Sequence, residues 1–193
     1  MKFKVIAKSI LIVILLIHVV LAIFDLKFLI FPWIYLIYRL WILSTGPLGS
    51  PWVPASMDEV QQMLRMADIE SGEILYDLGS GDGRIVTEAA KLYKVKAIGV
   101  EIDPIKVIFS RLKLSFSKAS HYVEIKHANL FDIRLTDANV VTMFLVPTTV
   151  NKLKTKFKKE LKKGSRIVSL KFPLKNWKPI KVNKTNEIFV YKI

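Results

Sequence analysis

The turn at residues 77–84 combines glycines and acids in a spacing that could bind a small ligand. Its defining residues are Asp77, Gly79, Gly81, Asp82 and Gly83. An apolar run at residues 74–78 precedes it and a segment with helical spacing follows, which predicts a strand, a tight turn and a helix start. Glycines permit positive φ and close approach of a ligand to the backbone. Such a turn, with free N–H groups at the helix start, is typical of a site for a nucleotide-like ligand.

The acids of this turn indicate which kind of nucleotide it binds. A dinucleotide site has a third glycine at the sixth position from Gly79, where this chain has Arg84. Asp77 and Asp82 beside the glycines disfavour a polyphosphate and favour a ligand with cationic groups. The pattern therefore argues against a dinucleotide.

A second motif follows about 20 residues further along the chain. Residues 97–100 are an apolar run predicted to form a strand, and Glu101 ends it. A carboxylate there can accept hydrogen bonds from both ribose hydroxyls of a nucleoside. Together, the turn and Glu101 resemble motif I and the following acid of class I S-adenosylmethionine-dependent methyltransferases. Their cofactor carries a sulfonium and an ammonium and no phosphate.

Further segments make the resemblance more specific. These segments are Pro51-Trp52-Val53-Pro54-Ala55-Ser56, Gly99-Val100-Glu101-Ile102-Asp103, Phe144-Leu145-Val146-Pro147 and Gly164-Ser165-Arg166-Ile167-Val168-Ser169. They are similar to the small seven-strand protein-lysine methyltransferases, which include archaeal broad-specificity enzymes and mitochondrial membrane-tethered enzymes that modify the adenine nucleotide translocase and the ATP synthase c-subunit. The resemblance implies an α/β fold with a Rossmann-like seven-strand sheet, mostly parallel with an antiparallel last strand.

The resemblance also implies a set of residues that contact S-adenosylmethionine. They are Asp77, Gly79, Ser80, Gly81, Glu101, Ile102, Asn129 and Leu130. Asp77, Gly79 and Gly81 would surround the methionine moiety and Glu101 would hold the ribose. Asn129 stands where the family often has Asp and could accept from the adenine amino group, while Leu130 could flank the ring. An ordinary turn asparagine is the alternative.

The end of the fourth predicted strand bears on the substrate. Methyltransferases that act on nucleobase or glutamine amino groups usually carry Asp/Asn-Pro-Pro-Tyr/Phe there, and this chain has Leu145-Val146-Pro147-Thr148. An apolar rim suits a lysine, because desolvation lowers the pKa of its ammonium from about 10.4 toward neutrality. The prediction is methyl transfer to lysine in membrane-associated proteins. No catalytic residue and no metal site is assigned, and the alternatives are a lipid or small hydrophobic amine, RNA, or a non-catalytic tethering module.

Composition divides the 193-residue chain into an apolar and a charged part. Residues 1–43 are almost wholly apolar, and the net charge of +14 lies largely in the lysine-rich segment beyond residue 150. That basic face could attract anionic lipid, acidic protein or nucleic acid, with nucleic acid the less favoured partner, or it could be a solvated helix surface. The chain has no cysteine, which excludes disulfides and thiolate metal sites.

The predicted organisation is a membrane anchor at residues 1–43, a linker at residues 44–55 and the methyltransferase domain at residues 56–193. Asp25-Leu26-Lys27 interrupts the apolar run. The basic start at Lys2, Lys4 and Lys8 predicts a cytoplasmic N-terminus. Because one crossing would then place the catalytic domain outside, a helical hairpin or a shallow interfacial helix is predicted, and either keeps the domain on the cytoplasmic side. A cleaved signal peptide fits less well because no small-x-small site follows the apolar run.

Four helices are predicted in the domain. Ser56 and Glu59 form a capping box for the first, and the motif turn starts the second. The third begins near Pro104 and is expected to bury a stripe at Ile105, Ile108, Leu112 and Phe116. Thr148 or Thr149 is expected to cap the fourth, at residues 150–161. The later strands are predicted at residues 122–126, 139–146, 166–172 and 188–193, the last pairing near residues 180–183.

Overall fold

A computed structural model describes residues 2–45 and 53–193 of the chain. The chain divides into two compact units, residues 1–49 and residues 50–193. Most of the predicted linker, residues 46–52, lies outside the described residues.

The described part of the N-terminal unit, residues 2–45, is one helix, α1 (Lys2–Thr45). The helical hairpin, one of the two predicted arrangements, is wrong, because the helix runs through residues 25–27 without a break; the shallow interfacial helix stays a prediction. Neither glycine nor proline occurs there, and one Asp and one Lys leave the backbone hydrogen bonds intact. Within α1, the 26 residues Ile12–Ile37 have a mean hydropathy of 2.6 and are long and apolar enough to cross a membrane. A signal sequence passes the same test, so this helix alone is weak support for an anchor.

The described residues of the second unit, 53–193, form a seven-stranded sheet and four α-helices. Its helices are α2 (Met57–Met66), α3 (Arg84–Tyr93), α4 (Pro104–Ser115) and α5 (Pro147–Glu160). Its strands are β1 (Ile74–Leu78), β2 (Lys96–Glu101), β3 (Val123–His127), β4 (Val140–Met143), β5 (Arg166–Leu170), β6 (Lys181–Asn183) and β7 (Ile188–Lys192), with a short 3-10 turn at Ser120–Tyr122.

The strands are ordered β3-β2-β1-β4-β5-β7-β6 across the sheet. The first five are mutually parallel, whereas β7 runs antiparallel to β5 and pairs with β6. This confirms the predicted Rossmann-like sheet with an antiparallel final strand. The order reverses between β1 and β4, and ligands of open α/β sheets bind outside the carboxyl ends of the strands at such a reversal.

Two apolar clusters form the core, one on each side of the sheet. Neighbouring residues of a strand point to opposite faces, so Leu75 joins one cluster and Tyr76 the other. The first cluster contains the buried faces of α2 and α3 and Val107 of α4, and the second contains the buried face of α5. Helices α2, α3 and α4 therefore cover one side of the sheet and α5 covers the other.

The capping box at the start of α2 is confirmed. The Glu59 N–H donates to the Ser56 hydroxyl over 3.2 Å, and the Ser56 N–H donates to the Glu59 carboxylate over 2.8 Å. Val60, Met63 and Leu64 of this helix are fully buried.

The start of α5 differs from the prediction. The helix begins at Pro147 with Val146 as its N-cap residue, and no side chain caps it. The threonine caps are therefore wrong. Proline at the first helical position supplies the required φ and has no N–H to satisfy, so the helix begins without a polar cap.

The orientation of α4 also differs from the prediction. Ile105, Ile108, Leu112 and Phe116 are 42–85% exposed instead of buried. The buried side of the helix carries Val107 and Ser110. A Cβ on Gly83 would lie 3.5 Å from the Cβ of Ser110, so the small serine lets α4 pack closely on the glycine turn. Sequence periodicity identified the apolar stripe but not the direction in which it points.

Arg166 at the start of β5 joins the sheet to the end of α2. Its guanidinium makes two 2.6 Å hydrogen bonds to the Glu73 carboxylate and also donates to the carbonyls of Ala67 and Asp68. Both ion-pair side chains are mostly buried, at 15% and 14% exposure. Hydrogen bonds from Arg166 hold the pKa of Glu73 below its usual value, so this stabilisation exists above the ordinary carboxyl pKa and is lost as the pH falls through the lowered value.

We expect Arg166→Ala to lower the free energy of unfolding by about 3 kcal/mol near neutral pH, as measured by urea denaturation. Lys181→Ala is the matched control, because it removes an ion pair with Asp68 whose partners are 42% and 65% exposed. Exposed pairs contribute about 1 kcal/mol or less. Equal losses in the two variants would contradict the assigned role of Arg166.

Candidate cofactor site

The glycine turn between β1 and α3 has a backbone that only glycine adopts readily. Gly79, Gly81 and Gly83 have φ values of +81°, +54° and +74°. A Cβ on Gly79 would lie 2.7 Å from Cδ2 of Leu145, which follows β4. The turn and the end of β4 are therefore in close contact at the carboxyl edge of the sheet.

Four backbone amides of the glycine turn already have acceptors. The Gly79 and Ser80 N–H groups donate to the Val100 carbonyl over 2.8 and 3.0 Å, and the Gly81 N–H donates to Glu101 Oε2 over 2.8 Å. The Gly83 N–H donates to the Ser80 carbonyl. A phosphate at these four amides would have to displace existing hydrogen bonds, which adds to the argument against a dinucleotide.

Glu101 links the turn to the start of α4. Besides the Gly81 N–H, its carboxylate accepts the N–H groups of Ile102 and Asp103 over 3.0 and 2.9 Å, and the residue is 7% exposed. An ionised carboxylate offers about four acceptor positions. Three are used here, which leaves room for one hydroxyl donor; acceptance of both ribose hydroxyls stays a prediction.

Asp77 is a buried acid at the end of β1. It is 2% exposed, and the Thr142 hydroxyl of the neighbouring β4 donates to its Oδ1 over 2.8 Å. Its pKa is raised to about 7, first by burial and then by the charges of Glu101 and Asp82, against the opposing effect of the Thr142 hydrogen bond. A ligand cation beside it would favour the ionised form and lower this pKa. The geometry thus suits a ligand that brings a positive charge.

Asp82 and Arg84 have roles that sequence reasoning missed. Arg84 makes hydrogen bonds of 2.8 and 3.0 Å to both oxygens of Asp82, and Lys113 of α4 adds a 3.0 Å ion pair. Burial acts to raise the pKa of Asp82, but these two cations outweigh it and hold the pKa below its usual value. Arg84 also donates to the Ala55 carbonyl, which attaches the segment before α2 to the turn. The sequence feature that could have indicated this ion pair is the order Asp82-Gly83-Arg84.

The residues expected near adenine lie at the ends of neighbouring strands. Glu101 is in register with His127 at the end of β3, and the Ala128 N–H donates to the Glu101 carbonyl. Asn129 follows, and its Oδ1 accepts the Phe131 N–H over 3.0 Å. This is the turn geometry of the alternative left open by the sequence, so contact with adenine stays a prediction. Leu130 is half-buried against the core cluster that contains α5.

Ser80 and Ile102 complete the predicted set. The Ser80 hydroxyl is buried without a hydrogen-bond partner among the described residues, and it lies against β2, where a Cβ on Gly99 would meet it at 2.7 Å. Only the Ser80 backbone therefore belongs to the turn surface. Ile102 is half-buried and its carbonyl lies 3.1 Å from His127 Nε2. In residues 2–45 and 53–193, no group of three or more His, Asp or Glu side chains could hold a metal ion.

The sheet order, the glycine turn and the buried Asp77 fit a class I methyltransferase that uses S-adenosylmethionine, and the similarity to known proteins establishes that class. Residues 77–181 match the ANTKMT methyltransferase domain, and the chain belongs to that family. The predicted family and cofactor are therefore confirmed.

Individual relatives agree with this assignment. The chain is 38% identical to a protein-lysine N-methyltransferase from Saccharolobus islandicus, over 71% of this chain and 86% of that one. It is 33% identical to the mouse adenine nucleotide translocase lysine N-methyltransferase, over 81% of this chain and 72% of that one. A solved structure described as an RNA methyltransferase from Salinibacter ruber, bound to S-adenosylhomocysteine, has a TM-score of 0.71 and 34% identity, covering 73% of this chain and 94% of that one.

Proposed function

We propose that the protein is a membrane-anchored methyltransferase that modifies lysine side chains of membrane-associated proteins on the cytoplasmic side. The relatives named as lysine methyltransferases support the target residue. The observation that carries the proposal in the structure is the apolar end of β4, beside Asp77. Asp77 is in register with Thr142, so residues 144–147 continue along the edge of the glycine turn.

That edge is suited to a lysine and lacks the polar motif of amide methyltransferases. Phe144 and Val146 are half-buried, and Leu145 touches Gly79. S-adenosylmethionine supplies an electrophilic methyl group on a sulfonium. The apolar rim disfavours the ammonium form of an incoming lysine, so its nitrogen is more readily presented with a free lone pair. The new N–C bond forms as the C–S bond breaks, and the nitrogen then loses a proton.

Two features support residence at the membrane. Residues 12–37 of α1 form one continuous apolar helix, and Lys2, Lys4 and Lys8 before it favour a cytoplasmic N-terminus. A single crossing would place the catalytic unit on the other side, so we place this helix in the plane of the cytoplasmic interface. The outer surface of α5 and the loop after it is lysine-rich and suits an acidic protein or RNA. Its exposed lysines are Lys152, Lys158, Lys159, Lys162 and Lys163.

The test is transfer of labelled methyl groups to isolated membranes by the full-length protein and by Asp77→Ala and Glu101→Ala variants. We expect label on a protein band that disappears in both variants, with mass spectrometry locating it on lysine. Right-side-out and inverted vesicles would report the sidedness. Absence of any labelled protein, with normal cofactor binding by calorimetry, would overturn the substrate assignment and leave the enzyme class intact.

RNA is the second candidate substrate, because the Salinibacter ruber structure is described as an RNA methyltransferase and the α5 surface is basic. The same labelling experiment separates the candidates when RNA, protein and lipid fractions are counted independently. Label in RNA that is lost in both variants would favour this alternative. Label in lipid extracts would instead favour a membrane-derived amine.

A further inference from the structure

The outward face of α4 is an exposed apolar stripe beside the cofactor site. Its five side chains are Ile105 (42% exposed), Ile108 (65%), Phe109 (65%), Leu112 (55%) and Phe116 (85%). Their spacing places them within an arc of about 100° around the helix. Large exposed apolar patches on an otherwise well-packed domain mark interaction surfaces. The stripe is therefore a candidate interaction surface.

Cations surround this stripe. Residues 104–118 contain Lys106, Arg111, Lys113 and Lys118 and no acid. Lys106 and Lys113 pair with Asp103 and Asp82, and the Arg111 guanidinium donates to the Ile125 carbonyl of β3 over 2.7 and 3.1 Å. Lys118 is exposed.

The carboxyl end of α3 extends the same surface. Helices α3 and α4 cover the same side of the sheet and both run antiparallel to its parallel strands, so they end at the same edge. Leu92 there is 53% exposed and lies in sequence among the exposed Lys91, Lys94 and Lys96.

We propose that the α4 stripe inserts into the interface of an anionic membrane as a second membrane contact of the protein. A helix with Phe, Leu and Ile on one face and Lys and Arg around it is typical of helices that lie in the lipid headgroup region. A protein interface would favour fewer lysines in and around its centre. The proposed anchor supplies the first contact, and the stripe sets how the catalytic unit faces the bilayer.

This contact excludes a similar role for the lysine-rich α5 surface. Helices α4 and α5 lie on opposite sides of the sheet, so one flat membrane cannot touch both. The exposed surface of α5 offers lysines without a comparable apolar stripe. Docking through α4 also brings the glycine turn near the interface, because Ser110 and Lys113 on the other sides of this helix contact that turn.

The absence of cysteine from the chain allows a direct test. The full-length protein carries a single cysteine at Phe109→Cys, Phe116→Cys or, as control on the opposite side, Thr155→Cys, each labelled with an environment-sensitive fluorophore. The protein is reconstituted in phosphatidylcholine vesicles with or without phosphatidylserine. We expect blue-shifted emission and quenching by spin-labelled lipid at positions 109 and 116 when phosphatidylserine is present, weakened by salt, and neither change at position 155.

Three outcomes would overturn the proposal. Lipid quenching at position 155 but not at 109 and 116 would assign the contact to α5. A blue shift without lipid quenching that grows with protein concentration would assign the stripe to a second copy of the chain. A blue shift only on addition of RNA would assign it to nucleic acid. The fluorescence readout does not depend on methyl transfer. A negative result here would therefore refute the membrane contact of α4 without bearing on the proposed substrate.

Discussion

Replacing Asp77 by Asn is expected to abolish methyl transfer and, at the same time, to raise the thermal stability of the ligand-free protein above pH 7. The variant loses the negative charge that would face the cationic cofactor, and the loss of one partner of a buried charge pair costs enough to weaken binding by about 100-fold or more. Asn keeps an acceptor for the Thr142 hydroxyl, which lies 2.8 Å from Asp77 Oδ1.

The stability gain follows from the raised pKa of Asp77. In the unfolded chain this carboxyl loses its proton near pH 4, whereas in the folded protein it keeps the proton up to about pH 7. Stability therefore falls as the pH rises through this window, and the full cost, about 4 kcal/mol at 1.36 kcal/mol per pKa unit, is present above it. Asn carries no such cost, so the gain is largest above pH 7 and vanishes below about pH 4.

Thermal unfolding at pH 5 and pH 8 tests the expected stability gain. Calorimetric titration with S-adenosylhomocysteine tests the expected loss of cofactor binding. Thr142→Val is the matched variant, because it removes the hydroxyl that donates to Asp77 and leaves the carboxylate in place. We expect it to raise the pKa of Asp77 further and to shift the pH at which cofactor binding increases to a higher value. An Asp77→Asn protein that binds cofactor normally would refute the assigned role.

Glu101→Gln should be the second most damaging substitution in the site. The glutamine oxygen can replace one carboxylate oxygen, but the amide NH₂ group cannot accept the hydrogen bond from the Gly81 N–H. Two donors would then face each other in a nearly buried position, which costs about 1–3 kcal/mol. We expect a lower Tm and cofactor binding weakened by roughly 100-fold, since both the turn and the ribose contact are affected.

Asp82→Asn is the control for Glu101→Gln. It removes a negative charge near the turn without removing the hydrogen bonds that Glu101 accepts. The Asp82 carboxylate is already paired with Arg84 and Lys113, so its replacement should change the cofactor Kd much less than Glu101→Gln. Kd values for both variants, from the same calorimetric titration, provide the comparison. Equal weakening would mean that Glu101 acts only through the overall negative potential.

The sequence was most informative where several local signals agreed. Apolar runs, the glycine turn and the acid at Glu101 together predicted the strand and helix order, because each is a local property of short segments. The mostly parallel sheet was implied by the family resemblance. Asp77 and Glu101 lie at the same edge of the sheet because β1 and β2 are paired in parallel. Asp77 is in register with Gly99, two residues before Glu101.

Features that depend on long-range contacts were not predictable in the same way. Thr142 reaches Asp77 from a strand 65 residues away, and no local pattern marks that contact. The direction of α4 depends on Ser110 fitting against Gly83, so an apolar stripe alone led to the wrong face. The acceptors of the turn amides, at Val100 and Glu101, belong to another strand, so no local pattern indicated these hydrogen bonds.

These engaged amides have a consequence for the energetics of cofactor capture. Because Val100 and Glu101 already hold Gly79, Ser80 and Gly81, the turn adopts its left-handed backbone before any ligand arrives. Ordering a backbone residue costs about 1–2 kcal/mol, and here that cost is met during folding. Affinity for the cofactor can thus come almost entirely from new contacts, which is the thermodynamic advantage of a preorganised receptor.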